Sequence, residues 1–374
     1  MPKDFRRGAR RMVGLIDLVQ TLTTPHPLDR YLELVSPART ARELRAEVTH
    51  VSHAVPDSVT LTLRSSRQWR GHAAGQYVQI GVSINGVRHT RCYSPIDPES
   101  RGDRFIQLTV RRHPGGLVSN YLHEHAKPGM VVDLAPAAGV FALPERRPDR
   151  VLLISGGSGI TPVLSMLRTL DAEGFDGEVT FLHYARSPEL VPHRAELTAI
   201  TNRRPNVRVE YRYPVEPGTV VDGETSTGSG FFDYDELERV APWFADAQTF
   251  VCGPPPLMRA VRTIFEAEGL EDRVHSEEFT LTTVPTDPAE ATGTVTFSDS
   301  AVAADNTGAS LLEQAESAGL TPEYGCRMGI CFSCTATKVS GCTRNLRTGE
   351  LDADPDKQIQ ICVNTAVGDV DIAL

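Results

Sequence analysis

The chain has 374 residues, 23% of them charged and 40% hydrophobic, with a formal net charge of −10. That length can fill two to four separate cores, while the acidic balance argues against nucleic acid as the main partner, because phosphate binding wants a basic face. No run of eighteen apolar residues occurs and nothing resembles a signal peptide, so neither a membrane span nor secretion is expected, and the cytoplasm is the expected compartment.

Residues 1–40 are a basic extension. Within residues 1–11, Lys3, Arg6, Arg7, Arg10 and Arg11 stand against Asp4 alone, and Leu15, Leu18 and Leu22 follow at i, i+3 and i+7, the stripe of a short helix. Two readings stand side by side. One is a helix that covers the next domain. The other is a basic amphipathic segment over residues 1–24 that rests peripherally on the inner, anionic face of the membrane, against which Asp17 in the stripe weighs.

Residues 41–147 read as β-structure. Glu47–Val51, Ser58–Leu63, Gly75–Ile80 and Asp103–Val110 are short strands, separated by turn pairs such as Pro56-Asp57 and Asn85-Gly86, which predicts a small antiparallel barrel. Within it lies Arg91-Cys-Tyr-Ser94, and after it Gly115-Gly-Leu-Val-Ser-Asn120 leads into a helix at Tyr121–Glu124. An arginine can fork onto a diphosphate, a tyrosine ring can lie on a flat ring system, and the serine hydroxyl stands beside them. The glycine step offers the free amides of a helix start to an anion.

At residue 148 the period changes. Val151–Ile154 is a continuous apolar run, as in a strand buried on both faces, and Ser155-Gly-Gly-Ser-Gly-Ile-Thr-Pro-Val163 follows at once into a helix at Leu164–Leu170. Strands at Val179–Tyr184, Val207–Tyr211 and Thr249–Cys252 alternate with helices near Pro192–Thr201, from Tyr234, and at Leu257–Ala267. That alternation predicts a doubly wound parallel sheet, and a glycine loop between a buried strand and a helix is the setting that gives such a loop meaning. The unit runs to residue 280.

Residues 281–293 are polar and proline-bearing, the composition of a linker. Beyond them Thr294–Phe297 reads as a strand and Ala309–Ser317 as a helix, followed by Tyr324-Gly-Cys-Arg-Met-Gly-Ile-Cys-Phe-Ser-Cys334 and, later, Cys362. Cys326, Cys331 and Cys334 have the C-x4-C-x2-C spacing of a plant-type [2Fe–2S] site completed by Cys362. Structural zinc would call for paired C-x2-C units, and one such unit is present. Residues 291–374 carry eleven acids and five bases. That excess suits steering toward a basic electron acceptor and equally suits a merely solvated surface. Cys342 falls outside the ligand pattern and reads as a buried structural thiol.

With these signals in order, residues 40–374 resemble the ferredoxin–NADP reductase superfamily carrying a fused C-terminal plant-type ferredoxin. The resemblance implies a flavin-binding barrel, a nucleotide-binding α/β domain and a β-grasp ferredoxin domain, with FAD, NADPH and a [2Fe–2S] cluster as cofactors. It implies that Arg91, Tyr93 and Ser94 hold the flavin, with Ser94 near flavin N5. Gly116, Val118 and Ser119 match the flavin-phosphate segment, and Gly156, Gly157, Gly159 and Thr161 the nucleotide pyrophosphate loop. Cys252, Gly253 and Pro254 match the motif beside the nicotinamide, and Glu278 with Phe279 falls where some relatives place a group against the flavin. Strand two ends in Tyr184-Ala-Arg-Ser187 without an acid for a ribose hydroxyl; Arg186, with Arg212 as a second candidate, can meet a 2′-phosphate, which favours NADPH. The run from Leu28 to Leu34, Trp69-Arg-Gly-His72 and Arg88–Ser94 resembles the NADPH-dependent reductase partner of membrane acyl-CoA (stearoyl-CoA) desaturases. Related reductases serve hydroxylases, ring-hydroxylating oxygenases and P450s, and a flavin/iron–sulfur redox sensor is a further alternative.

Overall fold

The computed structural model describes residues 43–99, 103–216, 219–221, 224–225, 229–279, 291–325, 327–329 and 332–374. The expected N-terminal helix and the linker up to residue 290 lie outside them. No helix among the described residues is long and apolar enough to cross a membrane.

Alternating side chains build the first unit. Strands β1 (Arg45–Val55), β2 (Ser58–Ser65), β3 (Val78–Ile84), β4 (Val87–Tyr93), β5 (Phe105–Arg111) and β6 (Val131–Leu134) form one antiparallel sheet in the order β4-β3-β6-β1-β2-β5. An isolated antiparallel bridge between Pro95 and Leu108 brings the two ends of that order together, which is the closure of a barrel. Val59, Leu61 and Leu63 stand opposite Val110, Leu108 and Ile106 in register and are buried. Helix α1 (Leu117–His125) adds Val118 and Leu122 to this core. Each such side chain contributes on the order of 1.5–3 kcal/mol by leaving water.

The second unit is a parallel sheet. Strands β7 (Arg150–Gly156), β8 (Glu178–Tyr184), β9 (Val207–Arg212), β12 (Gln248–Cys252) and β13 (Val274–Glu277) run in the order β13-β12-β7-β8-β9, with a small hairpin, β10 (Val220–Val221) and β11 (Glu224–Thr225), beside them in sequence. Leu153, Phe181 and Phe250 face a core shared with α2 (Ile160–Glu173) and α3 (Arg194–Arg203). Leu152, Ile154, Leu182 and Val251 face the opposite core with α4 (Tyr234–Val240) and α5 (Pro255–Ala267). Burial on both faces explains why β7 reads as one apolar run.

Helix α2 begins four residues before the sequence suggests, straight from the glycine loop. Pro162 sits in its first turn, where a missing N–H costs nothing. It stops at Gly174, whose φ of +70° is left-handed, and Phe175 N–H closes the end onto Leu170 O at 2.9 Å.

Two features join these units. Ala74, Ile96, Phe141 and Leu143, from the barrel side, lie within the core beneath α2. The polar contacts agree: Ser165 Oγ donates to Asp97 O at 2.6 Å, Glu99 N–H to Thr169 Oγ1 at 3.1 Å, and Arg168 Nη1 to Ile96 O at 2.8 Å.

The C-terminal unit holds β14 (Thr294–Phe297), β15 (Val302–Asp305), α6 (Leu311–Ser317), β16 (Thr335–Asn345), β17 (Leu351–Asp352), β18 (Lys357–Gln360) and β19 (Asn364–Ala373). The order is β15-β14-β19-β16-β17, with β18 also on β16; β14 and β19 are parallel and the other pairs antiparallel. Leu311, Leu312 and Ala315 of α6 cover Val295, Phe297, Val370 and Ile372, a helix grasped by a mixed sheet. Ser310 and Glu313 close a reciprocal capping box at the start of α6.

Candidate functional site

The glycine loop is built by close approach. Its tight turn over Gly157–Gly159 links β7 to α2, and β12 lies in register with β7, Cys252 opposite Ser155. A Cβ on Gly159 would collide with the carbonyl oxygen of Cys252, and one on Gly156 would meet Pro254 Cδ at 2.5 Å. Gly157 has a φ of +54°, and a Cβ there would stand 2.7 Å from Arg111 Nη1. Gly156, Gly157, Gly159, Thr161, Cys252, Gly253 and Pro254, distant in sequence, therefore form one surface at the carboxyl ends of adjacent parallel strands, the usual place for a ligand in such sheets. Thr161 Oγ1 donates to Ser158 O at 3.2 Å and steadies the turn.

Sequence reasoning missed two groups here. Arg111 closes β5, pairs with Asp57 at 2.7 Å and lines a shallow pocket with Ser58, Thr109, Ser158 and Thr161. The available signal was a basic pair at a strand end just before the glycine step. Glu277 stands in register beside Cys252 on the edge strand β13. It is 8% exposed, and its Oε2 has no hydrogen-bond partner. Burial pushes its carboxyl up to about 8. Burial also pushes the fully buried Cys252 thiol up, with Glu277 and then Glu278 adding to the effect, so Cys252 is a packed, protonated wall and not a thiolate.

The residues expected against the flavin are brought together in part. Tyr93 ends β4, packs against the barrel core, and has its phenol pushed above the ordinary range by burial. Ser94 follows, 2% exposed, and its Oγ has no hydrogen-bond partner. Arg91 is half-buried on the same strand, and its Nη1 donates to Thr90 O at 2.7 Å. Gly116 caps α1, and a Cβ there would meet Ser119 Oγ at 2.5 Å. Ser119 Oγ itself donates to Gly116 O at 3.3 Å. The Val118 side chain points into the barrel core, which leaves only its backbone for an anion.

Phe279 packs against the core beneath α2, whereas Glu278 is tied to Arg262 at 2.8 Å. At the ends of strands two and three the two candidate arginines differ. Arg212 is held by Glu210 at 3.1 Å and Glu236 at 2.7 Å, while Arg186 is exposed.

In the C-terminal unit Cys334 and Cys362 are 3% and 2% exposed and share its core, linked by Ile361 N–H donating to Cys334 O at 3.1 Å. Cys326 and Cys331 lie outside the described residues. Gly329 has a φ of +74°, and a Cβ on it would press on Val363 at 2.9 Å. Cys342 is half-buried at a register shift of β16 against β19, which corrects the expectation of a buried thiol: a strand irregularity turns its side chain partly outward.

These residues suit the groups the sequence implies. The orphaned Ser94 hydroxyl awaits an acceptor or donor in an otherwise closed site. The glycine-lined surface accepts a backbone-hugging diphosphate. Two buried thiols in one core match part of a four-thiolate set.

Comparison with known proteins agrees unit by unit. Residues 45–142 match the model of an oxidoreductase FAD-binding domain, residues 153–263 that of an oxidoreductase NAD-binding domain, and residues 295–365 that of a 2Fe-2S iron-sulfur cluster binding domain. An NADPH oxidoreductase of Mycobacterium tuberculosis is 36% identical over 97% of this chain and 93% of its own. A glycine betaine monooxygenase reductase subunit of Pseudomonas aeruginosa is 30% identical over 79% of this chain and 85% of its own. The solved structure of phthalate dioxygenase reductase superposes with a TM-score of 0.59 at 25% identity, over 89% of this chain and 98% of that one.

Proposed function

We propose, from the premise that this chain belongs to the ferredoxin reductase-type family of NAD(P)H-dependent FAD and [2Fe–2S] oxidoreductases, that it draws electrons from NADPH and delivers them singly to a membrane acyl-CoA desaturase. When bound, FAD takes the two electrons of a hydride and the cluster passes them on one at a time.

The chain's own residues do the positioning. Tyr93 and Ser94 hold the flavin face and edge, with the unpartnered Ser94 hydroxyl placed to bond the ring as it gains charge. Gly156, Gly157, Gly159 and Thr161 receive the pyrophosphate, and Arg111 supplies a cation at their edge. Cys252, Gly253 and Pro254 form the wall for the nicotinamide. The buried Glu277 keeps that wall dry and uncharged near neutral pH. Cys326, Cys331, Cys334 and Cys362 ligate the cluster. Arg186 meets the 2′-phosphate, since Arg212 is already committed to two carboxylates.

One observation supports the choice of NADPH as donor. The relative called an NADPH oxidoreductase aligns over 97% of the chain, while the glycine betaine monooxygenase reductase subunit leaves about a fifth of it unmatched. The sequence around Leu28–Leu34, Trp69–His72 and Arg88–Ser94 resembles desaturase-type reductases. The relatives named for glycine betaine and stachydrine oxidation favour a second reading, in which the acceptor is an oxygenase component. Purified chain should support NADPH-dependent unsaturation of an acyl-CoA by a desaturase in vesicles. Turnover with an oxygenase component and none with the desaturase would select the second reading. Replacing Cys331 with Ser should abolish cytochrome c reduction and spare ferricyanide reduction.

A further inference from the structure

One contact crosses from the barrel to the cluster-bearing unit at a chemically informative place. The guanidinium of Arg91, two residues before Tyr93, lies over the ring of Tyr324 at 5.4 Å from its centroid. Tyr324 opens the cysteine loop and packs against the core of its own unit. Arg327 covers the same ring at 3.9 Å and is ion-paired with Glu316 at the end of α6. Two cations would ordinarily repel across one ring; Glu316 neutralises the nearer one, which lets Arg91 approach.

We propose that Tyr324 is the seat by which the cluster unit docks on the flavin barrel, held there by the face of Arg91. A guanidinium is planar, so stacking uses its face and leaves edge N–H groups free to fork onto phosphate oxygens. In Arg91 one edge nitrogen already binds Thr90 O, and the others remain for the diphosphate. A single side chain thus answers to the cofactor on its edge and to the neighbouring unit on its face, so that occupancy of the flavin site and docking are coupled. Tyr324 acts as a positioning residue. With both groups bound, the docked arrangement would serve transfer of one electron from the reduced flavin to the oxidised cluster, the flavin's proton passing to solvent.

This rests on the proposed electron route, and the test separates the two. The full chain loaded with FAD and cluster is compared with Tyr324→Leu, which removes the ring, and Tyr324→Phe, which keeps it. Small-angle scattering should show the Leu variant expanded and the Phe variant unchanged. After mixing with NADPH, cluster reduction followed by absorbance should slow about tenfold in the Leu variant only, the loss expected for one ring contact, with flavin reduction by NADPH unchanged. A Leu variant that matches wild type in scattering and rate overturns the proposal, as does a Phe variant as impaired as Leu, which would assign the effect to the hydroxyl. Should the Leu variant fail to take up the cluster, scattering of the three chains loaded with FAD alone decides. A wild-type cluster that NADPH never reduces counts against the electron route, and the scattering comparison still judges the seat.

Discussion

Arg186 and Arg212 stand at the ends of neighbouring strands, yet their surroundings differ. Arg212 is spent on Glu210 and Glu236, whereas Arg186 is exposed. A charge-assisted contact to phosphate is worth about 1.5–3 kcal/mol. Arg186→Ala should therefore raise KM for NADPH roughly tenfold or more and leave that for NADH nearly unchanged in steady-state assays. Glu277 makes a second prediction. Its folded pKa of about 8 lies above the ordinary 4.5 because burial penalises the charge. Between those values the unfolded chain gives up a proton that the folded chain keeps, so stability present below pH 4.5 is lost as pH rises through 8. Glu277→Gln should flatten that decline, and urea midpoints of the two proteins should diverge in the variant's favour from pH 5 to pH 8. Arg186 stands out as a candidate in the sequence by the lack of an acid beside it. Glu277 could not, since Ser-Glu-Glu-Phe looks like surface until the register of β13 sets that carboxyl beside Cys252.

The loop from β7 to α2 owes its sequence to what packs on it. Its glycines are required by neighbours rather than by turn shape alone: at Gly159 the obstacle is the backbone of Cys252, which cannot rotate away. Gly159→Ala should destabilise the protein by about 1–3 kcal/mol, as overpacking does, and reduce NADPH-dependent ferricyanide reduction strongly, while the absorbance of the cluster persists. This element was legible because both its signals are local, an apolar run four residues long and a glycine cluster directly after it. The start of α2 was not, because Pro162 looks like a breaker until the first-turn position makes its missing donor harmless. The barrel was legible in the strand pattern, but the Pro95–Leu108 bridge that closes it was not, since Pro95 carries no pairing signal of its own.

Across the whole molecule, α2 links the two cofactor regions. Its N-terminus forms the glycine loop, and its body is bonded to residues 96–99, immediately after Ser94. Arg168 is central: it donates to Ile96 O at 2.8 Å and Gln107 Oε1 at 3.2 Å and pairs with Glu196 at 2.5 Å. Glu196 is 37% exposed, so solvent screens part of that pair. Arg168→Met should cost about 1–3 kcal/mol and slow flavin reduction by NADPH roughly tenfold or more through misplacement, with cluster absorbance intact. No periodicity in the sequence announces such a strut, because one partner is a backbone carbonyl and the others, Gln107 and Glu196, lie far from Arg168 in sequence.

The apolar residues that the barrel lends to the layer under α2, Ala74, Ile96, Phe141 and Leu143, bear on how such proteins can be recombined. A gene cut between residues 147 and 148 would part these four residues from the core beneath α2, and both fragments should aggregate when expressed alone. Among the described residues, a cut near residue 290 severs no shared interior of that kind. Swapping of electron carriers between relatives, whether by evolution or by an engineer, should succeed at the later seam and fail at the earlier one.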